Sequence, residues 1–385
     1  MGLASRCGMF KSRTFTAVLV AATFASPPAF AEDLAPVNCQ ASPSPLFSSN
    51  EVIELTMKGT FPTPVRNHEL EIPIVPGTIS YKDASGQEKS LVVNFQSRGK
   101  SKASLCQFRP VRILWNDDHK KAGSPFENLK GKDMKLATHC TYTSGTIAEN
   151  PEPNEDIIKE YSVYKLLKAL GFETLEVRLA KINYVNEADG STVEGLGFFL
   201  EPNPAFAKRC GLSHTKKESL DQVVKARDPR IDIPFLLARL IVDSSDYFIQ
   251  DPDGRWHGHN AELFESAEKR ARLAIPYDFN DSLLVGAGLG GIGFGAVEVH
   301  LKRLRNGAGL KSYETNYLSP EAQPGWTAAL LAETKRVLSK WEKAQKTIEE
   351  LPMSEESKAK FRARLKLLEP SLKAMVEVGA APIQP

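Results

Sequence analysis

From Glu51 onward apolar side chains recur at every second position: Ile53, Leu55 and Met57 alternate with Val52, Glu54 and Thr56. Residues 78–82, 91–97 and 111–115 are short runs, β-branched or aromatic, bounded by Gly, Pro, Asn or Asp, which is the signature of strands. Met134 and Leu136 share one face of a further strand, so Lys135 stands on the opposite face. The period then changes. Ile157, Tyr161, Tyr164 and Leu167 recur at helical spacing behind the start signals Asn154, Glu155 and Asp156, and Gly171 marks the helix end. Glu160 lies one turn before Tyr164 and borders the apolar stripe. Two more strands, 176–185 and 195–200 with Glu201 at the end, flank a turn over 186–190.

After Pro204 the pattern reads as helical. An apolar helix is predicted over 234–242. Two stripes follow, Trp326, Leu330, Val337, Trp341, Ala344 and Ile348, then Phe361, Leu365, Leu368, Leu372 and Met375. Pro352 separates them, and Ser354 with Glu356 and Ser357 offers an N-cap. The stripes read as core. The expected class is α+β in two lobes: a β-rich part with one helix over 51–203, then a helical part over 204–385 ending in a helical hairpin. Residues 32–50, rich in Pro and Ser, read as an irregular leader.

The first residues change the picture of where the chain works. Arg6, Lys11 and Arg13 precede an apolar stretch from Phe15 to Phe24, and Ala29-Phe30-Ala31 forms a small-residue cleavage pattern. This order is that of an export signal over residues 1–31, with cleavage after Ala31. The expected location is periplasmic or secreted, with no later membrane span. The whole chain carries 49 basic and 47 acidic residues, net +2. Without the three bases of the signal, 46 face 47, net −1, and this balance gives no electrostatic reason to expect a nucleic-acid partner. Cys39, Cys106, Cys140 and Cys210 remain after the signal, an even number that fits an oxidising compartment. Four cysteines allow three pairings. Cys106 with Cys140 is the favoured one, because both close strand-like segments in the same half of the chain.

The candidate chemistry centres on Ile275-Pro276-Tyr277-Asp278-Phe279-Asn280-Asp281, downstream of His259-Asn260. An acid after a strand and an Asn from a preceding loop are the groups with which phosphoryl-transfer enzymes hold Mg²⁺. Gly286 to Gly291, after 282–285, imitates a dinucleotide-binding glycine loop, but no second strand with its acid follows convincingly. His257 and His259 lack a third zinc ligand in any motif. No G-x-S-x-G elbow marks a serine hydrolase.

An ordered set of segments carries a resemblance. It comprises Ser97-Arg98-Gly99-Lys100 with Cys106-Gln107-Phe108-Arg109-Pro110, Met134 to Cys140, Lys159-Glu160-Tyr161 to Tyr164, and Val177-Arg178-Leu179. Phe198-Phe199-Leu200-Glu201, His259-Asn260 and Pro276-Tyr277-Asp278-Phe279 complete it. Over roughly residues 95 to 285 the chain resembles the spore-coat kinase (CotH) family and related exported bacterial proteins with a PYDFD-type motif. The resemblance implies an atypical protein-kinase-like fold that uses ATP with Mg²⁺ or Mn²⁺ and transfers a phosphoryl group to a protein or glycan hydroxyl. It implies Lys135 and Arg98 on the phosphates, and Glu160 holding the Lys135 ammonium. Asn260 and Asp278 would hold the metal. Asp246, with Asp243 as rival, would orient the acceptor hydroxyl. The backbone of Glu201 would meet a purine edge. The sequence departs from the family where relatives have a second acid, here Asn280, and in the glycine-rich loop. A catalytically impaired binding or scaffold module of the cell envelope is therefore the second expectation.

Overall fold

The computed structural model describes residues 37, 39–42, 44–60, 74–83, 85–98, 110–116, 119, 122–139, 152–215, 229–242, 248–250, 256–267, 272–279, 282, 284–285 and 323–379. Its fold is mixed α and β, with a strand-rich N-terminal region and helices towards the C-terminus. Seven strands form the first part: β1 (Ile53–Gly59), β2 (Ile74–Lys82), β3 (Glu88–Ser97), β4 (Val111–Trp115), β5 (Asp133–Thr138), β6 (Val177–Asn186) and β7 (Thr192–Leu200). They close into a barrel in the order β1-β2-β3-β4-β5-β7-β6. All pairings are antiparallel except the closing one, where β6 runs parallel to β1.

The alternation seen in the sequence is the barrel's inside and outside. Leu55, Met57, Ile79, Val93, Phe95, Met134 and Leu136 fill the interior. Gly77 is required where β2 crosses this core, because a side chain there would run into the Phe95 ring and the Lys58 carbonyl. Strands β6 and β7 are buried on both faces over residues 177–180 and 198–200, because there they are walls of two cores. Ala180, Ile182, Tyr184 and Phe199 belong to the barrel, while Val177, Leu179, Phe198 and Leu200 belong to the core under the helices.

Helix α1 (Pro153–Ala169) packs on β6 and β7 with Ile157, Tyr161, Tyr164 and Leu167 buried. It ends at Gly171, whose φ is 87°. The Gly171 N–H donates to the Lys168 carbonyl and the Phe172 N–H to that of Leu167, each at 3.0 Å, a Schellman closure that glycine permits without a Cβ clash. Beyond the barrel come α2 (Asn203–Arg209), α3 (Pro229–Val242), α4 (Gln323–Leu338), α5 (Trp341–Glu350) and α6 (Glu355–Gly379). The first predicted stripe is shared by two helices, α4 and α5, with a break at Ser339–Lys340. Leu330, Val337, Trp341, Ala344 and Ile348 are buried, as are all five residues of the second stripe. Ser354 accepts the Ser357 N–H at 3.2 Å as the expected cap of α6.

The part after residue 204, expected to be mostly helical, also holds short strands, one of them the strand expected before Asp278. Among the described residues there are five: β8 (Ser213–His214), β9 (Phe248–Gln250), β10 (Trp256–His259), β11 (Ala261–Glu265) and β12 (Arg272–Pro276). They form the sheets β12-β11-β8 and β10-β9. Strands of two to five residues are too short to establish a period-2 pattern. A disulfide joins Cys39 to Cys210 at the end of α2. It is compatible with the expected Cys106–Cys140 bridge, which lies outside the described residues. Among the described residues no helix is long and apolar enough to cross a membrane.

Candidate active site

Lys135 is placed by the register of β5. Met134 and Leu136 point into the barrel, so Lys135 projects from its outer face, opposite Leu200 of β7. There its Nζ lies 3.3 Å from Glu262 Oε1 and 4.3 Å from the centre of the Tyr277 ring. Burial lowers the ammonium's pKa, the Glu262 charge opposes that shift, and Arg98 adds to it. Arg98 closes β3, its N–H donating to the Pro110 carbonyl at 2.8 Å. Its positive charge is felt at Lys135, Tyr164 and Tyr277.

The carboxylate at Lys135 is therefore Glu262 of β11, in place of the expected Glu160. Glu160 is buried on α1 and serves the backbone instead, its Oε1 accepting the Phe279 N–H at 3.1 Å. One turn later the Tyr164 hydroxyl accepts the Asp278 N–H, also at 3.1 Å. Tyr164 packs edge-on against Phe279 with ring centres 4.7 Å apart. Two successive turns of α1 thus grip the Tyr277-Asp278-Phe279 segment by its backbone. The Tyr164 hydroxyl is held well above its ordinary pKa by burial and the nearby Glu160 charge, so it stays protonated. Burial together with Glu262 and Asp278 pushes Tyr277 up to about 12.

Asn260 and Asp278 flank the open end of the β11–β12 hairpin. Ala261 pairs with Pro276, and the Tyr277 N–H donates to the Asn260 carbonyl at 2.9 Å. Both residues have left-handed backbones, φ 54° for Asn260 and 63° for Asp278. Asn and Asp tolerate this conformation better than other side chains, and its occurrence at two abutting strand ends marks a specified local geometry. An amide and a carboxylate offer hard oxygen donors of the type that Mg²⁺ and Mn²⁺ prefer, so the donor set fits the expected metal. Among the described residues no group of three or more His, Cys, Asp or Glu converges as a metal cage.

Lys135, Arg98, Glu160, Asn260 and Asp278 are thus collected in one region. Glu201 is held by contacts of its own. Its side chain is buried, accepts from Arg209 Nε at 2.8 Å and from the Glu176 N–H at 3.0 Å, and joins β7 to α2. Its own N–H donates to the Glu176 carbonyl at 2.8 Å. Burial pushes this carboxyl up while the Arg209 guanidinium pulls it down. Asp246, Asp243, Asn280 and Gly286–Gly291 lie outside the described residues.

The sequence reading missed Glu262, His214 and Asn203. Glu262 Oε2 lies 2.7 Å from His214 Nε2, and Asn203 also hydrogen-bonds this carboxylate. Burial works to raise the Glu262 pKa, but the His214 bond, the Lys135 charge and the Asn203 bond outweigh it and bring it down to about 2. The available signal was a lone acid in the apolar run Ala261-Glu262-Leu263-Phe264, two residues after Asn260.

No protein-family model and no curated protein matches this chain. Among solved structures it is similar to the crystal structure of a Helicobacter pylori proinflammatory kinase, CtkA. The sequences are 10% identical with a TM-score of 0.37, over 70% of this chain and 91% of that one.

Proposed function

We propose that this chain is an exported, kinase-like phosphotransferase related to the CotH family. It would move the γ-phosphoryl group of ATP, with Mg²⁺ or Mn²⁺, to a hydroxyl of a protein or glycan. The observation that carries the reading is the convergence of Lys135 from the barrel with Asp278 and Asn260 from the β11–β12 strand ends. The Asp278 charge reaches Lys135, and Arg98 adds a second cation. This combines a positive pair suited to phosphate oxygens with two oxygen donors suited to a hard cation.

In this reading Asp278 and Asn260 would hold the metal, which when bound neutralises phosphate charge. Lys135 and Arg98 orient the phosphates. Glu160 and Tyr164 fix the turn that carries Asp278, which matters because phosphoryl transfer is catalysed mainly by positioning and electrostatics. The acceptor oxygen forms a bond to the γ-phosphorus, the bond to the β-phosphate oxygen breaks, and ADP leaves. Asp246 is the proposed group for the hydroxyl proton. The Cys39–Cys210 bridge supports a protein that matures in an oxidising compartment, as export requires.

Phosphate release and phosphoryl transfer from ATP by the disulfide-bonded chain, with Mn²⁺ or Mg²⁺, test the proposal. Metal-dependent turnover that falls by about a hundredfold or more in Asp278→Ala and in Lys135→Met is expected. Turnover that survives both substitutions, or that needs no divalent metal, would contradict it.

A further inference from the structure

Glu262 is approached by three side chains from three elements. Lys135 of β5 faces Oε1 at 3.3 Å, and His214 of β8 faces Oε2 at 2.7 Å. Asn203, the first residue of α2, bonds the same carboxylate and lies 3.3 Å from His214 Nε2. The two oxygens are thereby divided between ammonium and imidazole. Glu262 side-chain exposure is 16%, so few solvent contacts compete for its orientation. The imidazole is itself fixed. β8 is only two residues long, yet it pairs with β11 through His214 opposite Phe264 and Ser213 opposite Glu265. The His214 ring also packs on Phe264 with centres 5.2 Å apart.

A bond to one oxygen of a carboxylate selects the rotamer that presents the other oxygen, as partners behind a ligand orient the ligand itself. We propose that His214 is a positioning residue for Lys135, acting through Glu262. The inference rests on the phosphotransferase reading for its purpose, since it has β8 aim the ammonium that meets phosphate. The charged, titratable and polar groups around the relay are Arg98 at the end of β3, Tyr277 and Asp278 after β12, and Asn203 of α2.

The test is trace acetylation of lysines with acetic anhydride in the nucleotide-free, disulfide-bonded chain, with Lys135 quantified by mass spectrometry. Lys181 on β6, paired with Glu194 on the barrel, is the internal reference. Glu262→Gln removes the charge that keeps the proton on Lys135, so labelling of Lys135 relative to Lys181 is expected to rise by about threefold or more, a shift of about half a pKa unit. His214→Ala is expected to move it in the same direction. His214→Gln, whose amide can still donate to Oε2, should restore wild-type labelling. In a Glu262→Gln background His214→Ala should add nothing. Glu262→Asp, which keeps the charge but shortens the reach, provides a second route and should also raise labelling.

Wild-type labelling in a folded His214→Ala protein, or equal effects of His214→Ala with and without Glu262, would overturn the relay. The phosphotransferase reading fails separately. If ATP with Mn²⁺ gives wild-type Lys135 no protection while the variants behave as expected, that reading falls and the relay stands. If ATP protects Lys135 but His214→Ala leaves its labelling unchanged, the relay falls and the phosphotransferase reading stands.

Discussion

Glu160 and Asp278 occupy neighbouring positions but answer to different physics. Glu160 is buried and accepts a buried backbone N–H, so its loss removes that acceptor. Glu160→Ala is expected to cost about 1–3 kcal/mol in urea unfolding, the range for an orphaned buried donor, while Glu160→Gln keeps an acceptor and costs less. Asp278→Ala truncates a half-buried side chain and leaves the backbone N–H bond to Tyr164 available. Its unfolding free energy without metal should fall less than that of Glu160→Ala, the main cost being the strain that alanine meets at this left-handed backbone position. Equal losses in the two alanine variants would refute this division. At this scale the sequence revealed which residues were unusual and not whom they touch. Period-2 patterning was enough to put Lys135 on the outer face of β5. Its partner comes from a segment more than a hundred residues away, and local periodicity carries no information on such a pairing.

Between elements the two apolar cores are supplemented by polar clamps on backbone ends. The Glu155 carboxylate of α1 accepts the Ser354 N–H at 3.0 Å and the Ser354 hydroxyl at 2.7 Å, tying α1 to the start of α6. Partial burial acts to raise the Glu155 pKa, but the bonds from Ser357 and Ser354 prevail and hold it below its ordinary value of 4.5. A depressed carboxyl contributes stability above its ordinary pKa and loses it as pH falls through the folded value. Glu155→Gln should therefore lower the melting temperature at pH 7, and the gap to wild type should close as the pH falls below about 4. A gap that persists unchanged at pH 3 would contradict the assignment. The long elements were legible because α1, α6 and the barrel strands repeat their period several times. Of the short strands β8 to β12 only the one before Asp278 was expected, and closure of the barrel was not, since alternation says which face is buried but not that β6 returns to β1.

For the whole molecule, the order of a strand-rich part followed by helices was readable from the sequence. The two cores that share β6 and β7 were not, although the unbroken apolar run at Phe198-Phe199-Leu200 is their trace. The Cys39–Cys210 bridge pins the N-terminal segment to α2 across 171 residues of sequence. Cys39→Ser with Cys210→Ser is expected to lower unfolding stability by about 2–4 kcal/mol, measured by guanidinium titration, and an unchanged midpoint would contradict that role. The proposed site at Asp278 takes nucleotide and metal together. Its most direct test is the thermal shift of the disulfide-bonded protein with ATP, with and without Mn²⁺ or Mg²⁺, beside Asp278→Ala. A ligand at about 100 times its dissociation constant stabilises the native state by about 2.7 kcal/mol. The expected result is a shift that needs both ATP and the metal and disappears in Asp278→Ala. No shift in the wild type, or an identical metal-independent shift in both proteins, would contradict a phosphotransferase site at Asp278.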